Sequence, residues 1–280
     1  MPPKSKQLKK QAVPAASDSI KQQQRAPSWP VLHPLIPTSD LQLVPLLQDH
    51  ILTIPRFWTA SLCKTYVTFL SALPLVTTPG KPKKGDAVRV NDRYQIDDPA
   101  FAERLWSGTA LKQLVEGAVV GAEAMTEDAK RALWGGEVLG LNRNIRIYRY
   151  SKGQFFDQHC TYHHSPLQSH LLSADTVGKD DDANNVKFPS AIAPSAIAAK
   201  TTWTLLLYLT SPATGCKGGE TVFYLDPPSK REAAPPPVIA ELEVGMALLH
   251  RHGVDCMLHE GREVTEGEKW VIRSDLCVKR

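Results

Sequence analysis

Arg149-Tyr-Ser-Lys-Gly-Gln-Phe-Phe-Asp-Gln-His159 is answered a hundred residues later by Met257-Leu-His-Glu-Gly261 and Gly267-Glu-Lys-Trp-Val-Ile-Arg-Ser-Asp275. The first stretch ends an alternating run. In residues 141–150, Ile145, Ile147 and Arg149 fall on one face and Arg146, Tyr148 and Tyr150 on the other, and a period of two means a strand. The second stretch places Lys269 ten residues beyond His259. Neutral imidazoles on rigid strands suit a divalent transition metal, and two histidines plus a carboxylate with open positions is the oxygen-activating arrangement of non-haem ferrous iron. The lysine would face a carboxylate.

Outward from these stretches, the second half of the chain reads as short strands parted by Gly/Pro-rich turns: residues 202–210, 221–225, 238–243, 246–250 and 270–277. The first half is different. Ile51-Leu-Thr-Ile is a short strand closed by Pro55, and Leu62, Tyr66, Phe69 and Leu70 recur at helical spacing within residues 59–73, with Thr59 or Ser61 as cap. Residues 77–86 form a loop. Residues 91–99 lead into a second helix over 100–108, with Phe101, Leu105 and Trp106 on one side, and a third helix follows over 111–119. Asn91 and Arg93 admit two readings, a turn with a surface ion pair or part of a substrate mouth. Many strands after a helical lead-in predict an α+β chain, a double-stranded β-helix (jelly roll) with helices packed outside.

Composition limits the classes. The 280 residues suit one domain of roughly 200–250 residues with a tail. Residues 1–30 are nearly empty of large apolar side chains and read as a disordered basic tail, either plain solvated chain or a nuclear-import segment. Six cations there face Asp18 alone, which is +5; the formal +4 of the whole chain leaves −1 for residues 31–280. Bulk charge therefore does not describe a nucleic-acid surface. Five scattered cysteines without CxxC spacing predict free thiols in a reducing compartment. No apolar run approaches the roughly 18 residues that span a bilayer, so a cytoplasmic or nuclear protein is expected.

From about residue 47 to 277 the chain resembles the prolyl 4-hydroxylase type of Fe(II)- and 2-oxoglutarate-dependent dioxygenase. The matching pieces are Tyr150, Gly153, Phe156, His159, the strand Thr204-Leu-Leu-Leu-Tyr-Leu, Gly218-Gly-Glu-Thr-Val-Phe, His259 and Gly267-Glu-Lys-Trp. The resemblance implies a domain over 31–280, with a helical lead-in at 47–120 and a jelly-roll core at 139–280. It implies His159 and His259 as iron ligands and Lys269 on the distal carboxylate of 2-oxoglutarate, with Arg273 as the runner-up clamp. Tyr150 either hydrogen-bonds the cosubstrate or simply packs. O2 completes the cofactors, with ascorbate as an optional addition. The implied substrate is a protein or peptide, prolyl preferred, with a small molecule as the lesser case and neither nucleic acid nor membrane expected. Gly218-Gly-Glu-Thr is read as a turn without chemistry, and His250 and His252 do not match the motif. The rival reading is a non-catalytic jelly-roll binding protein with a degenerate metal site.

One departure stands out. The family pattern is His-x-Asp, and Thr161 stands where the carboxylate belongs. Residues 160–179 are unlike the strand before them, and removing them leaves His159-Asp180-Asp181, which restores the pattern. The codons open to this stretch permit a splice donor at Cys160-Thr-Tyr, a branch site at Ala174-Asp175 and an acceptor at Lys179-Asp180. Excision there would write His159-Tyr-Asp181. Asp181 is therefore the expected third ligand, whether 160–179 is a genuine loop or an untrimmed intron. Asp175 is the alternative if a shorter loop is set aside, and His163 and His164 are outside candidates. Without a carboxylate, the site would admit halide or hold no metal.

Overall fold

The computed structural model describes residues 25–78, 87–117, 119–120, 123–160, 185–189, 196–229 and 231–280. The expected strand at 141–150 is realised as two, Val138–Leu141 and Asn144–Ser151, separated where Asn142 Oδ1 accepts the Asn144 backbone N–H. Both pair with the long strand Glu268–Lys279, which pairs on its other side with Ile197–Tyr208. From one edge inward, the large antiparallel sheet runs Val44–Leu47, Ile51–Ile54, Ala247–Arg251, Ile197–Tyr208, Glu268–Lys279, Asn144–Ser151, Asp92–Asp97 and Val76–Thr77. A smaller sheet runs Val238–Ala240, Thr221–Tyr224, Leu258–Gly261, Phe155–His159 and Arg89–Val90. Two antiparallel sheets with helices on the outside are the expected α+β jelly roll.

The period of two sorts residues between two cores. Ile145, Ile147, Trp270, Ile272 and Leu276 enter the main core, where the large sheet meets the helices. Tyr148, Tyr150, Val271 and Leu248 enter a second core, shared with Phe156 and Phe223 of the small sheet. The helices form where sequence caps them. Thr59 accepts from the Leu62 N–H to start Ala60–Ser71, and Asp98 accepts from the Phe101 N–H to start Pro99–Ser107, with Pro99 at its first turn. The third helix, Leu111–Gly117, ends two residues sooner than expected.

Three elements differ from expectation. Asp92–Asp97, read as a lead-in, is a strand: Tyr94 and Ile96 are buried in the main core and their alternation binds the segment to Asn144–Ser151. Glu127–Trp134 is a fourth helix, capped by Thr126, acidic in its first turn and stopped by left-handed Gly135. Trp29, counted with the tail by composition, stacks on Phe101 at 4.0 Å and donates its indole N–H to Asp98 at 2.7 Å. A single aromatic side chain with a polar partner is enough to fix the end of an otherwise polar segment. Residues 1–24 and 161–184, and with them most of the suspected insertion, lie outside the described residues. No described helix is long and apolar enough to cross a membrane.

Gly245 sets the entry to Ala247–Arg251. Its φ is +80°, its N–H donates to Tyr208, its carbonyl accepts from Trp58, and a Cβ would lie 2.0 Å from the Trp58 carbonyl oxygen. Gly245→Ala is expected to cost more than about 2 kcal/mol, lowering the melting temperature by about 4–8 °C. Gly153→Ala is the control: its φ is also positive, but a Cβ there meets nothing within 4 Å. Thermal denaturation of both variants should rank Gly245→Ala as the more damaging.

Candidate metal and cosubstrate site

His159 ends the strand Phe155–His159, and His259 lies in Leu258–Gly261 directly opposite it in the small sheet. Residues 100 positions apart in sequence thus become neighbours, with ring centroids 4.2 Å apart. The same local device orients both. His159 Nδ1–H donates to the Asp157 carbonyl at 2.8 Å, and His259 Nδ1–H donates to the Met257 carbonyl at 2.7 Å. A carbonyl can only accept, so the proton of a neutral ring sits on Nδ1 and Nε2 presents a bare lone pair. Burial, with His259 nearby, pushes His159 well below its ordinary pKa against the pull of the Asp157 carbonyl, which keeps the ring in the metal-binding form. Phe156 stacks on His159 at 3.5 Å and Phe223 on His259 at 5.5 Å, holding the two rings from behind.

His250 does not match the family motif, yet it joins this cluster. It pairs with Thr204 in the large sheet, lies 4.8 Å from the His259 ring, and donates Nδ1–H to the Arg251 carbonyl at 3.2 Å. His252 does not join. Thr204 and Thr201 hydroxyls engage its two nitrogens at 3.1 and 2.9 Å, and it braces the floor of the cavity.

Lys269 is buried and projects from Glu268–Lys279 into the inner end of the same cavity. Its Nζ lies between the Tyr150 and Tyr208 rings, 5.4 and 5.3 Å from their centroids, and donates to the Gly219 carbonyl at 2.6 Å. Burial lowers its pKa to about 8, with Cys216 and Glu220 partly offsetting the loss of hydration. The Gly218-Gly219 turn therefore does more than reverse the chain. Gly219 supplies the carbonyl, and a Cβ on it would approach Lys269 Cδ at 3.1 Å. Tyr150 lines the inner chamber, and burial raises its phenol above the usual range, so it stays protonated and able to donate.

Arg273 follows on the same face. Its guanidinium contacts Asp275 at 3.3 Å and reaches Thr204 at 3.4 Å. Burial opposes the cation, but Asp275 and Tyr148 hold its pKa above the ordinary range. Arg273 is thus already paired with a carboxylate, whereas among the described residues Lys269 Nζ meets a carbonyl and two rings, which makes it the freer cation. Around Tyr148, burial pushes the phenol up, but Arg273, Arg146, Arg89 and Arg93 together bring it down to about 8. Arg93, of the two readings open to it, lines the cavity mouth; Asn91 is buried and ties Thr78 to Arg89.

A transition metal fits the donor type and tautomer of the His159–His259 pair. Among the described residues, however, no three His, Cys, Asp or Glu side chains already converge on one metal position. Asp181, Asp175, His163 and His164 lie outside the described residues.

No family model matches the chain, and no curated protein matches it. Among solved structures it is similar to a collagen prolyl hydroxylase of Paramecium Bursaria Chlorella virus-1 in complex with 2OG, at 16% identity over 82% of this chain and 96% of that one, with a TM-score of 0.43. It is also similar to a Pseudomonas putida prolyl-4-hydroxylase, at 16% identity over 82% and 94%, TM-score 0.45. A third is an oxidoreductase of the 2OG-Fe(II) oxygenase family from Burkholderia pseudomallei, at 14% identity over 83% and 87%, TM-score 0.46. At scores and identities this low, what the chain does has to be read from its own side chains.

Proposed function

We propose that the protein is an Fe(II)- and 2-oxoglutarate-dependent dioxygenase that hydroxylates a protein or peptide, with prolyl residues preferred. The observation that carries this reading is the pairing of two buried imidazoles, each with Nε2 bare, with a buried ammonium in one cavity. His159 and His259 would hold the metal, with Asp181 as the carboxylate that the sequence offers. When bound, ferrous iron supplies O2 activation coupled to decarboxylation of the keto acid.

The chain's own residues do the rest. The Asp157 and Met257 carbonyls fix both imidazole tautomers. Lys269 binds the distal carboxylate, exchanging its Gly219 carbonyl for a full anion at a buried position, where the attraction exceeds that in water. Tyr150 lines the same chamber, and its protonated phenol is the donor for that carboxylate. Val271 and Leu206 give the space an apolar wall.

Anaerobic calorimetry should find one Fe(II) per chain, with affinity reduced at least about tenfold in His259→Ala because only one imidazole remains. Turnover, read as 2-oxoglutarate decarboxylation, should vanish in the same variant. Equal activity in wild type and His259→Ala would dismiss the site, and a folded, metal-loaded wild type that decarboxylates nothing would favour the non-catalytic binding protein.

Lys269→Ala should chiefly raise the 2-oxoglutarate requirement and leave metal binding in place. The pH dependence has a definite sign. A carboxylate binds the ammonium form, which predominates below the lowered pKa of about 8 and is lost as pH rises through it. Cosubstrate affinity should fall about tenfold between about pH 7 and pH 9. Lys269→Arg, which does not titrate there, should flatten that profile when binding is measured by calorimetry.

A further inference from the structure

We propose that the outer half of the cavity binds a carboxylate of an acidic peptide substrate through Arg93 and Arg146. The inference rests on the dioxygenase reading and deepens it by naming the substrate class. Register places these two residues together. Arg93 pairs with Tyr148 across the sheet and the next cavity-facing residue, Gln95, pairs with Arg146, so strand alternation aims both guanidinium groups into the cavity that ends at the histidines.

Four guanidinium groups line this cavity of about 260 Å³: Arg89, Arg93, Arg146 and Arg273. Among the described residues lining it, Asp275 is the one carboxylate, and it is already divided between Arg146 at 3.2 Å and Arg273 at 3.3 Å. Among the described residues, the hydrogen-bond partner of Arg93 is the neutral Gln95 amide. Arg89 is held between the Tyr148 and Phe156 rings, 5.0 and 4.9 Å from their centroids, and one of its terminal nitrogens is buried with no hydrogen-bond partner. An excess of cations gathered at one mouth, with a buried donor left over, is complementary to an anion. The lowered Tyr148 phenol reports the same positive field.

This anion is not the cosubstrate. Lys269 lies at the inner end, whereas Arg93 and Arg146 line the outer cavity and not the inner chamber. A peptide is favoured over a compact molecule because the cavity continues, through Gln95, Asn142, Asn144 and Arg146, into a groove of about 870 Å³ along Pro99, Glu103 and Phe188. An extended chain could thread both, presenting one residue to the histidines and an acidic neighbour to the arginines.

The test uses two fluorescein-labelled synthetic proline peptides, identical except for Glu or Gln on both sides of the proline. Anisotropy is read with the metal-free full chain. The Glu peptide should bind at least about tenfold tighter, with the preference shrinking as salt rises. Arg93→Gln should bring the two peptides within about twofold, and Arg93→Lys should restore part of the difference, with an unchanged melting temperature showing that both variants fold. Equal affinity of the wild type for the two peptides, or unaltered preference in Arg93→Gln, overturns the proposal. Displacement by inorganic phosphate without preference between the peptides also overturns it, in favour of a small phosphorylated substrate. The dioxygenase reading is scored separately by decarboxylation of 2-oxoglutarate in the iron-loaded protein. Peptide preference without decarboxylation would fail that reading and uphold the acidic-peptide site, and decarboxylation without preference would do the reverse.

Discussion

The strand Glu268–Lys279 is hydrogen-bonded on both sides, to Ile197–Tyr208 and to Asn144–Ser151, and that double pairing fixes its register. A slip of one residue would drive Lys269, Arg273 and Asp275 into the apolar core and turn Trp270, Ile272 and Leu276 toward the cavity. Burying an unpaired ammonium or guanidinium among Leu and Trp side chains costs several kcal/mol for each group, so the alternative is closed. The apolar face thereby holds the polar face in place. Neighbouring strands inherit the constraint, which is why Tyr148, Tyr150 and Arg146 stand beside Val271, Lys269 and Arg273.

How much of this could be seen in the sequence depends on the kind of signal. That His159, His259 and Lys269 would lie near one another was suggested by the family resemblance of the stretches that carry them, and the jelly roll by strands of period two after a helical lead-in. The cap at Thr59 needed only local chemistry. Arg93 and Gln95 were half-hidden because Asn, Asp and Pro around them read as turn formers, and that local signal masked the alternation of Tyr94 and Ile96. The burial of those two side chains is a tertiary effect that propensity does not carry. The helix Glu127–Trp134 carries its signals in the sequence, Thr126 before two acids and Gly135 at the end, but it is short and only Leu133 and Trp134 are buried, so its apolar periodicity is weak. His250 lies outside the family motif, and only the packing of the large sheet against the small one brings it to His259, a tertiary contact with no local trace in the sequence.

The site combines opposite electrostatic demands within a few ångströms. Imidazoles must be neutral to ligate a metal, and burial with cations nearby lowers the basicity of His159 in that direction. A lysine must be charged to hold a carboxylate, and the same burial works against it, leaving Lys269 poised near the edge of its useful range. Asp275 relieves the crowding of positive charge. Burial raises its pKa, but Arg273, Arg146 and His252 pull it well below the ordinary carboxylate range, so it remains an anion inside the protein. Its presence lets the floor of the cavity tolerate two guanidinium groups side by side.

Arg89 belongs to the small sheet but lies against Tyr148 of the large one, and its other face covers Phe156, the ring that backs His159. The guanidinium is thus a tie-beam across the mouth of the sandwich. From the entrance inward, guanidinium, phenyl ring and imidazole follow one another in a single row, so the entrance and the imidazole pair share one wall.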